Sequence, residues 1–71
     1  MIKAAVVSHA FNAYAEDMGW GSVRTRSKFN NVVLSFDENV SDSLKERARA
    51  VLVDMIDSAN ANDVVEMVVQ P

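Results

Sequence analysis

Arg24, Arg26 and Lys28 stand two residues apart. On an extended strand that spacing sends all three side chains to one face, as a row of cations able to track phosphates. Tyr14 and Trp20 lie nearby in sequence and could stack on bases. Phe29 falls on the opposite parity of the same run. Composition works against this reading. Ten acidic residues against seven basic ones give a net charge of −3, whereas dedicated nucleic-acid binders are strongly basic and carry a ribonucleoprotein-type aromatic motif or a reading helix. Lys and Arg on an edge strand also have a structural role, guarding it against aggregation. Nucleic-acid binding through Arg24, Arg26 and Lys28 is therefore the alternative expectation, not the leading one.

Other chemistry is sparse. His9 is the only histidine, and the adjacent Ser8 points about 100° away from it on a helix, so no nucleophile–base pair forms. Asp54 and Asp57 share a helical face at i,i+3. Asp37, Asn39 and Ser41 match three positions of a calcium loop, but Asp42 stands where the loop needs Gly and Ala48 where it needs a bidentate Glu. Without cysteine, zinc has no plausible ligand set. No phosphate loop, nucleophile elbow or cofactor fingerprint is present. We expect no catalytic, cofactor or metal site, and a protein that is not an enzyme.

Trp20 sits between Gly19 and Gly21, either as the staple that closes a helix or as an exposed anchor for a partner. Two of the internal methionines among Met18, Met55 and Met67 fall on expected apolar faces, which favours core packing. Charge is uneven: six of the seven basic residues lie within residues 24–49, and residues 50–71 carry acidic residues only. Lys45, Arg47 and Arg49 crowd the start of a helix whose end holds Asp54 and Asp57, against the macrodipole. Glu16 and Asp17 do the same at the end of the preceding helix. Pairing with Arg24 or Arg26 across the glycine turn would compensate locally; antiparallel association of the charged helix with a second copy would compensate between chains.

The elements that must position these residues follow from periodicity. Ala4, Val7, Phe11, Tyr14 and Met18 recur at helical spacing and predict a first helix ending before Gly19. Alternatively, residues 2–7 form a strand and Ser8 caps a shorter helix. Residues 22–36 predict a β-hairpin turning at Asn30-Asn31. Leu44, Ala48, Val51, Leu52, Met55, Ile56 and Ala59 predict a second helix, capped by Ser41 or by Ser43 with Glu46. Asn60 to Asp63 ends it, and Val64 to Gln70, rich in β-branched residues, predicts a last strand. The expectation is one α+β domain over residues 1–71, a two-layer sandwich with two helices on one face of a small, mainly antiparallel sheet. Its order is α-β-β-α-β, or the ferredoxin-like β-α-β-β-α-β if the N-terminus is a strand.

One face of that sheet is left open, and its strands do not alternate cleanly. Val33, Val64 and Val68 fall on the uncovered side. A 71-residue chain without disulfides has little stability to spare, and each buried valine is worth about 1.5 to 3 kcal/mol. We therefore expect the open face to be covered, by a second copy as a homodimer or by another protein of unknown identity. Trp20, Arg24, Arg26, Lys28, Val33, Val64 and Val68 are the expected partner-binding residues. The expected function is that of a small non-enzymatic regulator, inhibitor or accessory factor, of the kind phages and mobile elements encode. No apolar run approaches the roughly 20 residues that span a bilayer, and Met1-Ile2-Lys3 is not followed by a signal-peptide pattern; a soluble, cytoplasmic location without membrane partners is expected.

Overall fold

The computed structural model describes residues 3–57 and 59–70. In chain order the elements are α1 (Ala4–Asp17), β1 (Val23–Lys28), β2 (Asn31–Asp37), α2 (Asp42–Ile56), α3 (Ala61–Val64) and β3 (Val65–Gln70). Ala4 to Val7 are helical, so the N-terminal strand and the ferredoxin-like order it implied do not occur; Met1 and Ile2 lie outside the described residues. Ser8 is buried within α1 and is not its cap.

α1 ends as its glycine dictates. Gly19 adopts φ +74°, the Gly19 N–H donates to Glu16 O at 3.1 Å, and the Trp20 N–H donates to Ala15 O at 2.8 Å. This bond pair is the Schellman motif, which satisfies carbonyls the last helical turn would leave orphaned. At the start of α2, Ser41 Oγ accepts the Leu44 N–H at 3.2 Å, so Ser41 is the cap and Ser43 lies inside the helix.

The sheet has the order β1-β2-β3. β1 and β2 are antiparallel, with Lys28 paired to Asn31 across a two-residue turn; β2 and β3 are parallel, Val32 pairing with Val65 and Phe36 with Val69. The molecule is thus a small α+β fold with a mixed sheet rather than a mainly antiparallel one. The connection through α2 and α3 carries the chain back to the start of β2, and a crossover of that length lets β3 run in the same direction.

A single core lies between the helices and one side of the sheet. Phe11 and Ala15 of α1, Trp20, Val23, Val32, Leu34, Phe36, and Ala48, Leu52 and Ile56 of α2 are buried together there. α1 presents Ala4, Ser8, Phe11 and Ala15, rotated from the face its apolar spacing predicts, and Met18 is 45% exposed. The rotation has a polar cause: Ser8 and Asn12 both bond Thr25 of β1.

Candidate functional site

Register sorts every strand residue onto a side. Val23, Thr25 and Ser27 of β1, Val32, Leu34 and Phe36 of β2, and Val65, Met67 and Val69 of β3 are on the helix side; Arg24, Arg26, Lys28, Asn31, Val33, Ser35, Asp37, Glu66, Val68 and Gln70 are on the open side. Arg24, Arg26 and Lys28 therefore stand in one exposed row along β1. Lys28 Nζ lies 3.9 Å from Glu66 Oε2, and Asn31 Nδ2 donates to Glu66 Oε1 at 3.2 Å. Among the described residues, Arg24 and Arg26 have no ion-pair partner. The expected pairing of Glu16 or Asp17 with them across the glycine turn does not form.

The open face is not where the surplus apolar surface lies. Val33 is 1% exposed; its cross-strand neighbours in register are Arg26 and Glu66, side chains long enough to lie over it while their charges stay wet. Val64 ends α3 and packs against the core; it is not a strand residue. Only Val68, at 38% exposure, matches the expectation of a bare valine on that face. Its neighbours on the helix side are barer: Met67 is 44% and Val69 51% exposed. Exposed apolar surface thus collects along β3, on both of its sides.

The two outer edges of the sheet differ sharply. On β1, the Thr25 N–H donates to Asn12 Oδ1 at 2.8 Å, and Asn12 Nδ2 donates to the Thr25 carbonyl at 3.0 Å. The Thr25 hydroxyl lies 3.1 Å from Ser8 O, 3.0 Å from Asn12 Oδ1 and 3.0 Å from Ser8 Oγ, and its one proton serves one of these three acceptors. The Val23 N–H is taken by Trp20 O. A side chain of α1 therefore sits where a further strand would have to pair. On β3 nothing comparable exists: among the described residues, no other element bonds its outer edge. In the parallel ladder Leu34 bonds the residues flanking its partner Met67, so the backbone groups of Val65, Met67 and Val69 point outward.

Trp20 is a staple rather than an exposed anchor. It is 9% exposed, with Tyr14 edge-on at 5.5 Å between ring centroids and the Arg47 guanidinium 5.8 Å from its ring. On α2, Lys45 pairs with Asp42 at 3.8 Å, Arg49 is half-buried, Asp54 is exposed, and Asp57 ends the helix with φ +48°. A surface depression of about 310 Å³ is lined by Val53, Asp54, Asp57 and Ala59. His9 is exposed, and no group of three or more His, Cys, Asp or Glu among the described residues could hold a metal ion.

Two features escape the sequence reading. The hairpin turns at Phe29-Asn30, one residue earlier than Asn30-Asn31, and Phe29 occupies the first turn position with φ +56° and 95% of its surface exposed. Local sequence carried no signal for this shift: a two-residue hairpin turn needs positive φ, which favours Asn over Phe, and the pairing of Lys28 with Asn31 is what fixes the turn. Asn12, whose amide blocks β1, carried no signal either. No helix among the described residues is long and apolar enough to cross a membrane. No family model, curated protein or solved structure matches this chain.

Proposed function

We propose that this protein is a small, non-enzymatic interaction protein that works by binding protein, and that its first partner is a second copy of itself. The observation that carries the reading is the asymmetry of the sheet. β1 is stopped by Asn12, while β3 offers unbonded backbone groups and exposes Met67, Val68 and Val69. Because those side chains project to opposite sides of the sheet, a partner laid flat on one face covers only some of them. An added strand runs beside all of them and bonds the edge as well.

The sequence of β3 suits self-pairing. An antiparallel two-fold pair must match outward-pointing residues with one another, which allows an axis on Glu66, Met67 or Val68, and an axis on Glu66 sets two carboxylates opposite each other. With the axis on Met67, Val65 opposes Val69 of the second copy and every outward backbone group from Val65 to Val69 is matched. Glu66 then faces Val68 of the second copy, and no like charges meet. Such a contact is isologous and closes as a dimer, whereas pairing β3 with β1 of another copy would run on without closing and is blocked by Asn12.

Sedimentation velocity across a concentration series tests this. The wild-type chain is expected to dimerise. Met67→Lys, which sets two ammonium groups opposite each other at the axis, is expected to yield monomer. Val68→Lys, which meets the second copy's Glu66, is expected to remain dimeric. A monomer at millimolar concentration, or loss of the dimer in Val68→Lys but not in Met67→Lys, overturns the proposed pairing.

A further inference from the structure

We infer that the opposite edge of the sheet binds single-stranded nucleic acid, with Phe29 as the stacking platform and Arg24 and Arg26 as the phosphate contacts. The inference is independent of self-pairing through β3.

Phe29 is placed where folding alone would not put it. Its φ of +56° is a conformation that glycine or asparagine adopts readily and a bulky side chain does not. The residue is 95% exposed, so packing among the described residues does not compensate. Both the backbone strain and the wet ring would be relieved by a glycine. An aromatic ring held out at a hairpin tip is available to a ligand instead.

The strand that leads into this turn defines the ligand. Arg24, Arg26 and Lys28 lead along one face of β1 to the tip, at a repeat of roughly 6.8 Å for alternate strand residues. Lys28 lies 3.9 Å from Glu66, and among the described residues Arg24 and Arg26 have no ion-pair partner. A strand with evenly spaced cations on one face, leading into a turn with an exposed ring, matches a chain that repeats an anion and a planar ring at each unit, which is a polynucleotide. The strand must be single, because only an unpaired base offers its face to Phe29. A bilayer is a poorer match, since one ring flanked by Lys28 and Asn30 makes no apolar wedge. The net charge of −3 does not forbid the site: the face that carries the three cations of the row holds two acidic strand residues, Glu66 beside Val33 and Asp37 at the end of β2, two residues beyond the partner of Arg24.

The test is fluorescence anisotropy with labelled oligo-dT and oligo-rU, in parallel so that DNA and RNA are told apart, at several salt concentrations. Binding is expected at roughly micromolar or weaker affinity at low salt, with two to three phosphates contacted and a log–log salt slope of about −1.4 to −2. Phe29→Gly is expected to lower affinity about tenfold while raising the melting temperature, and Phe29→Tyr to retain binding. Arg24→Gln and Arg26→Gln should each make the slope shallower by about 0.7. Absence of salt-dependent binding to both oligonucleotides overturns the site, as does unchanged affinity in Phe29→Gly. Binding to vesicles containing phosphatidylserine with none to either oligonucleotide overturns it too.

Discussion

The carboxamide of Asn12 bonds both backbone groups of Thr25, donating to its carbonyl and accepting from its N–H. A helical side chain thereby occupies the middle of an edge strand that has no neighbouring strand on that side. Edges left open are templates for uncontrolled pairing, and here one of two is closed from within the chain.

Asn12→Ala removes that closure. Two part-buried backbone groups lose their partner, and the expected cost is about 1 to 3 kcal/mol, measured by urea unfolding. The same variant is expected to form species larger than a dimer in sedimentation, because β1 then accepts strands. Retention of wild-type stability would mean that water replaces the amide without penalty.

Val33 and Val68 share the open face but differ in burial, at 1% and 38% exposure. Val33→Ala is expected to destabilise by about 2 kcal/mol, from lost transfer energy and the cavity left between Arg26 and Glu66. Val68→Ala should cost less than about 0.5 kcal/mol at concentrations where the chain is monomeric. Equal losses in chemical denaturation would contradict the shelter assigned to Val33.

The turn after α1 is expected to be sensitive at two positions for two reasons. Gly19→Ala has open space for its Cβ but must hold φ near +74°, at a cost of about 1 to 2 kcal/mol. Trp20→Ala empties a core position and should cost about 3 to 5 kcal/mol, enough to unfold a domain of this size. Circular dichroism at 25 °C distinguishes them: helix signal persists in the first variant and is lost in the second.

The Lys28–Glu66 pair is long, at 3.9 Å, and both side chains are about half exposed. Glu66→Gln is expected to change stability by less than about 0.5 kcal/mol. A loss larger than 1 kcal/mol that disappears in high salt would assign the pair a role its geometry does not suggest.

Helices and strands were legible in the chain because their signals are local. The Gly19-Trp20-Gly21 punctuation specified the Schellman turn, and the row of Arg24, Arg26 and Lys28 follows from strand parity alone. What the spacing of apolar residues could not convey was tertiary. α1 turns Ser8 toward the sheet because Thr25 waits beneath it, a polar contact between residues 17 apart that outranks apolar periodicity. Val33 looked bare because parity assigns a face but not the burial of each residue on it. The direction of β3 depends on the path through α2 and α3, so the parallel pairing, and with it the placing of Met67 and Val69, was not readable from β-propensity.

The parallel pairing of β2 with β3 also sets an order of assembly in time. β1 and β2 join through a two-residue turn, and α1 adjoins β1 across a short one, so these contacts close small loops and are expected early. β3 reaches its place only after the chain has been carried past α2 and α3, a long closure that comes late and gives the least protected strand. Amide exchange should therefore be fastest in Val65 to Gln70 of the isolated chain, and slowed there when a second strand docks. The surface assigned to recognition is then the last part of the molecule to fold, and a partner acts as its final folding step.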